Sequence, residues 1–222
     1  MDLLKHRPAE LAGFHHRFEP GTRTDRPPLL LLHGTGGDES DLLPFGRVAS
    51  PGAALLSPRG QVLESGMPRF FRRLAEGVFD EADLRRRAND LAAFVRAAEA
   101  AYRLGNPIAV GFSNGANIAA ALLMLHPGLL SGAVLLRAME PLRRPPIVRL
   151  DGTRVLLLSG THDPIVPAAN SDRLAATLAG SGASVTHRRV SGGHGLSQGD
   201  LNEAQSWLAG RVSLPADSVA SG

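Results

Sequence analysis

The chain of 222 residues has no cysteine, one lysine (Lys5), one tyrosine (Tyr102) and one tryptophan (Trp207). Without cysteine there is no disulfide framework, no cysteine-ligated metal centre and no thiolate nucleophile, so any covalent catalysis must use another side chain. The scarcity of lysine and tyrosine explains an odd charge balance. The chain carries 24 basic and 21 acidic residues, a net charge of +3 with histidine neutral, yet its isoelectric point is about 10.4. Apart from Lys5 the basic residues are all arginine. Almost nothing titrates between histidine and arginine, so a small positive excess carries the isoelectric point far upward. The value therefore gives no reason to expect a nucleic-acid partner, which would need basic residues gathered on one face.

Long apolar runs are missing too. The longest, Ile118–Leu125, has eight residues, far short of the ~20 needed to cross a bilayer. Met1–Gly13 carries Asp2, Lys5, Arg7 and Glu10 and has no apolar stretch long enough for a secretory leader. A cytoplasmic protein without a membrane span is expected. There is no H-x-x-x-H pattern or histidine/carboxylate cluster, so neither a metal nor a cofactor is expected. At roughly 100–200 residues per domain, residues 1–222 read as one domain, with about 211–222 a flexible tail.

What is present is an alternation of short apolar runs with longer segments of helical period, the mark of βαβ units around a mostly parallel sheet. The runs 29–32, 53–57, 108–112, 133–136, 155–159 and 185–190 are the candidate strands. Four of them are almost continuously apolar, as strands covered on both faces should be. Residues 14–18 suggest an antiparallel edge strand. The clearest helix spans about 81–103, with Asp80 as its cap, a stripe of Leu84, Ala88, Leu91, Val95 and Ala98, and Gly105 suited to the C-terminal turn. A second, 116–125, has hardly a charge and should be buried almost all round, with Pro127 ending it. Two more are expected near 169–179 and 201–209.

The chemistry concentrates at Gly111-Phe112-Ser113-Asn114-Gly115, a G-x-S-x-G pattern between an expected strand and an expected helix. That context describes a nucleophile elbow, a tight turn that lifts a serine hydroxyl above the sheet edge while a helix N-terminus favours developing negative charge. Serine needs a base, and the base needs an orienting carboxylate. On this architecture they follow in the order serine, acid, histidine. Asp163 lies in the loop after the strand at 155–159, and His194 lies among glycines after the last strand. Asp151, Asp172, His126, His187, His15 and His16 fit worse by position, and His162 is the strongest rival. An oxyanion hole also needs two backbone amides: Asn114 follows the nucleophile, and Thr35 lies in the glycine-rich loop Leu32–Glu39.

Together the segments HGTGGDE, GFSNGAN, HDPIVP and GGH resemble the phospholipase/carboxylesterase family of α/β-hydrolases, relatives of the acyl-protein thioesterases, over about residues 28–208. Ser57–Gly60 and Gly66–Arg73 are similar to a bacterial carboxylesterase subgroup. The resemblance implies an α/β-hydrolase fold with Ser113 as nucleophile, Asp163 as acid, His194 as base, and Thr35 and Asn114 as oxyanion donors. It departs at Asn114, where many thioesterase relatives carry glutamine, so it does not extend to the protein-deacylating activity. Relatives often dimerise, which allows a homodimer, although no interface is legible in the residues.

Only residues 137–153 separate the strand at 133–136 from the next, too few for a large cap domain. A shallow groove open to solvent follows, with Leu42, Met67, Phe70, Phe71 and Met139 as candidate walls and Arg69, Arg72 or Arg73 as weaker candidates for meeting an anionic group. The expected substrate is a small acyl ester of short or medium chain. The same apparatus could instead cleave a thioester or an amide, and a third alternative is a ligand-binding protein that kept the fold without turnover.

Overall fold

The computed structural model describes residues 9–210. The expected tail at 211–222 and most of the N-terminal segment lie outside them. Eight strands form one sheet: β1 (Ala9–Leu11), β2 (Phe14–Glu19), β3 (Leu29–Leu32), β4 (Leu55–Pro58), β9 (Ile108–Phe112), β10 (Gly132–Leu136), β11 (Arg154–Gly160) and β12 (Ser184–Val190). Their spatial order is β1-β2-β4-β3-β9-β10-β11-β12. From β4 to β12 every pairing is parallel, while β1–β2 and β2–β4 are antiparallel. The chain therefore has the mostly parallel, helix-flanked sheet of an α/β-hydrolase.

The central strands are apolar throughout because both faces are covered. Leu30, Leu32, Ala109, Ala133, Leu135, Val155 and Leu157 point to one face and join a core with helices α2 (Glu81–Tyr102), α3 (Asn114–Leu125) and α4 (Ala168–Gly180). The alternate residues Leu29, Leu31, Ile108, Val110, Val134, Leu136, Leu156 and Leu158 face α1 (Leu43–Ala49) and α5 (Gln198–Ala209). A period-2 backbone sandwiched between helices has no polar face to show. Helix α3 is buried along nearly its whole circumference, as its lack of charge requires.

Two expectations need correction. The strand at 14–19 is antiparallel but is not the edge, because β1 pairs outside it. Helix α2 begins as expected, with the Asp80 side chain accepting the Asp83 N–H at 3.0 Å, but Gly105 does not make its C-terminal turn. Arg103 does, at φ 55°, with its N–H bonded to the Glu99 carbonyl. The helix simply ends two residues earlier than a glycine cap would set it.

No large cap rises from residues 137–153, which form neither helix nor strand. The excursion lies elsewhere. Between β4 and α2 the chain makes two small hairpins, β5 (Val62–Glu64) with β6 (Met67–Arg69) and β7 (Arg73–Ala75) with β8 (Val78–Phe79). They stand beside the carboxyl ends of the central strands and border the cavity there.

The left-handed Arg103 supplies a test. An L-residue in that conformation is strained by about 1–2 kcal/mol, more than the roughly 0.5–1 kcal/mol of extra chain entropy that glycine loses on folding. Arg103→Gly should raise Tm by roughly 2 °C in a calorimetric melt, and a lower Tm would contradict this account of the helix end.

Candidate active site

β9 ends at Phe112 and α3 begins at Asn114, so Ser113 alone makes the turn, at φ 51° and ψ −112°. A non-glycine residue is held in such a conformation only where its surroundings over-determine it. Here the Ser113 N–H donates to the Leu136 carbonyl of β10 at 2.8 Å, and the Ser113 carbonyl accepts the Asn117 N–H at 2.9 Å. The flanking glycines are required by contact. A Cβ on Gly115 would lie 2.0 Å from the Leu32 carbonyl oxygen, and one on Gly111 would lie 2.5 Å from the Gly115 carbonyl oxygen. Strand β3 thus runs directly against the first turn of α3.

His194 stands on the loop between β12 and α5. Its Nε2 is 2.9 Å from Ser113 Oγ, and its Nδ1 is 2.9 and 3.1 Å from the two carboxylate oxygens of Asp163. Asp163 follows β11, its side chain only 2% exposed, and its Oδ1 accepts the N–H groups of Ile165 at 2.8 Å and Val166 at 3.0 Å. Burial pushes the carboxyl up, but those two amides and the His194 imidazole outweigh it and hold the group below the usual carboxylate range. A carboxylate at Nδ1 calls for the proton there, which leaves the Nε2 lone pair facing the serine hydroxyl. The rivals sit elsewhere: His162 meets its neighbour Thr161, His187 meets Ser159 and His16 meets Tyr102.

Thr35 and Asn114 border the same cavity as Ser113 and His194. The loop carrying Thr35 is clamped by the preceding residue pair. Buried His33 accepts the Gly60 N–H at Nε2, 2.9 Å away, so its own proton is on Nδ1, which donates to the Gly34 carbonyl at 2.6 Å. Burial drives this ring below the ordinary histidine pKa, with the Gly34 carbonyl and nearby acids opposing. The Thr35 hydroxyl accepts from Arg69 Nη1 at 2.7 Å, and Asn114 Oδ1 accepts the Phe70 N–H at 2.7 Å. The first hairpin is therefore tied to both sides of the serine.

A family model described as Phospholipase/Carboxylesterase matches residues 15–211. The chain belongs to that family. It is 46% identical over 194 residues to MhqD of Bacillus subtilis (strain 168), a protein named as a presumed hydrolase, covering 86% of this chain and 96% of that one. A carboxylesterase structure from Bacillus cereus superposes with TM-score 0.87 at 45% identity, covering 89% of this chain and 94% of that one. Another, from Mesorhizobium loti, gives TM-score 0.86 at 33% identity, covering 91% and 97%. The protein is accordingly a carboxylesterase-type hydrolase.

The walls of the cavity differ from those expected. Its volume is about 210 Å³, bounded by Arg69, Arg73 and Glu76 on the hairpins, by Phe79, and by Met139, Ile165 and Val166. Of the five expected wall residues only Met139 lines it. Leu42, Phe70 and Phe71 are core residues: Leu42 joins the cluster under α1, Phe70 lies 4.7 Å from the His33 ring and Phe71 meets Phe79 edge-on at 5.1 Å. Met67 is exposed on β6 and takes no part in the lining. Arg72 pairs with Asp80 on the surface, whereas Arg69 and Arg73 do reach the cavity and share Glu64.

Ile165 and Val166 could have been found from the sequence, because they stand two and three residues after Asp163 in the segment HDPIVP. Arg137, which also borders the cavity, carries no such signal. Among the described residues no group of histidines and carboxylates could hold a metal ion, and no helix is long and apolar enough to cross a membrane.

His33 gives this site a stability signature. Its ring is held neutral in the fold, whereas in the unfolded chain it takes up a proton near pH 6.5. Its contribution is therefore complete above about pH 6.5 and lost as the pH falls below it. Melts between pH 7.5 and 5 should show a decline in Tm that is shallower in His33→Gln; equal slopes would contradict the clamp.

Proposed function

We propose that the protein cleaves small carboxylic esters by a Ser113–His194–Asp163 triad through an acyl-enzyme. One observation carries the reading: Ser113 Oγ lies 2.9 Å from His194 Nε2, while His194 Nδ1 lies 2.9 Å from a buried Asp163 carboxylate. His194 takes the hydroxyl proton as Ser113 Oγ bonds to the ester carbonyl carbon, and the carbonyl oxygen becomes an oxyanion. The backbone amides of Thr35 and Asn114 are assigned to that oxyanion, where donors already fixed in place cost no reorganisation as charge develops. His194 then returns the proton to the departing alkoxide, releasing alcohol. Water, deprotonated by the same nitrogen, attacks the acyl-serine; as the bond to Ser113 Oγ breaks, His194 returns that proton to the serine oxygen, freeing the acid and restoring the hydroxyl. Asp163 stays ionised, holding the tautomer and stabilising the imidazolium.

A cavity near 210 Å³ is smaller than the roughly 300–1,000 Å³ of sites for drug-sized ligands, which favours short to medium acyl chains. Phe79, Met139, Ile165 and Val166 offer such a chain apolar contact. The proposal needs no cofactor, and it keeps the single domain and cytoplasmic setting expected from the sequence.

Ser113→Ala should lower kcat on p-nitrophenyl butyrate by roughly 10⁴–10⁶, and Asp163→Asn by about 10⁴ through the wrong tautomer. A Ser113→Ala variant that turns over like the wild type would refute the assignment.

A further inference from the structure

We propose that Arg137 is a positioning residue for His194, holding the two carbonyls that flank the base, with Asp200 fixing the guanidinium. The inference rests on His194 being the base, as set out above.

The loop that carries His194 is poorly equipped to hold itself. Gly192, Gly193 and Gly195 have no side chains to pack, and no side chain in residues 191–197 is buried. A segment with few buried apolar contacts belongs to the weakly held part of a fold. Yet the imidazole must stay within hydrogen-bond reach of both serine and aspartate. Backbone bonds hold one end, the Gly192 carbonyl accepting the His162 N–H at 2.9 Å. Arg137 holds the centre. Its Nε donates to the Gly193 carbonyl at 2.9 Å and its Nη2 to the Gly195 carbonyl at 3.3 Å, the residues immediately before and after His194. A planar guanidinium can bridge two such acceptors as a rigid fork, and a lysine ammonium cannot.

The guanidinium is itself anchored. Its Nη1 and Nη2 meet the carboxylate oxygens of Asp200 at 2.6 and 2.8 Å, both side chains being fully buried. Asp200 Oδ2 also accepts the N–H and the hydroxyl of Ser197, each at 2.8 Å, which closes the far end of the loop against the start of α5. The Arg137 backbone adds a further tie: at φ 58°, its N–H donates to the Leu158 carbonyl of β11 at 2.9 Å, on the strand that delivers Asp163. The preceding residue, Leu136, receives the Ser113 N–H. Arg137 thus stands where the supports of nucleophile, acid and base meet. A buried ion pair adds little net stability compared with apolar residues of the same volume, so stability alone does not account for it.

The test separates positioning from folding. Arg137→Met combined with Asp200→Asn strands no charge and should keep Tm close to wild type. With the base loop released, kcat on p-nitrophenyl butyrate should fall by about 10²-fold, the cost of a misplacement near 1 Å, with KM changed by less than about twofold. Labelling of Ser113 by a fluorophosphonate should slow by the same factor, and the low-field proton NMR signal of His194 Nδ1–H should broaden. Arg137→Lys, which keeps the charge but loses the fork, should show the same kinetic loss and covers the case in which the double variant does not fold. Leu178→Ala, a core truncation in α4, should lower Tm without changing KM or the low-field signal. Full kcat and labelling rate in either Arg137 variant would overturn the role. That outcome is distinguishable from failure of the triad reading, which an active Ser113→Ala would signal instead.

Discussion

The edge of the sheet that carries the proposed triad depends on one steric constraint, the crossing of backbones at Ser113. Strand β9 must turn into α3 within a single residue, while β3 passes so close that a methyl group at Gly115 would lie 2.0 Å from the Leu32 carbonyl oxygen. That contact sets where the chain leaves β3, and hence where His33 and Thr35 fall. The bond from Ser113 N–H to Leu136 sets where β10 ends, and so where Arg137 begins. Strain at Ser113 and order in the loops around it are two aspects of the same close approach.

Much of this was legible in the sequence. Strands β3, β9, β10 and β11 announce themselves as apolar runs because helices cover both faces, and the G-x-S-x-G pattern is informative because it falls between such a run and a helix. The order of Ser113, Asp163 and His194 could be read because each follows a strand whose carboxyl end opens on the same edge. The hairpins at 62–79 could not. Their strands are two or three residues long, too short for any period to show. Phe70 and Phe71 therefore read as pocket aromatics, whereas the Asn114 side chain draws the backbone of Phe70 inward and both rings join the core. Arg137 is the sharper case. An arginine after an apolar strand reads as a surface residue, and only the fold brings Asp200, 63 positions later, to its guanidinium.

The near absence of lysine takes on a structural meaning here. Several ion pairs at and around the site use the arginine fork: Arg137 with Asp200, Arg59 with Glu39, Arg73 and Arg69 with Glu64. Arg59 and Glu39 join the loop after β3 to the segment after β4, and Arg69 joins that segment to Thr35. A guanidinium loses less by burial than an ammonium and bonds in fixed directions, which suits loops that must be held without an apolar core of their own. Among the described residues only Arg69 and Arg137 are buried arginines, and both serve these ties at the site.

The claim on which these relationships turn is that Ser113, activated by His194, carries the acyl group. The most direct measurement is peptide mass mapping after brief reaction with p-nitrophenyl butyrate at low pH quench, alongside a fluorophosphonate control. The account predicts a butyryl adduct on the peptide containing Ser113 and its loss, together with turnover, in His194→Ala. An adduct on any other residue, or undiminished turnover in His194→Ala, would contradict it.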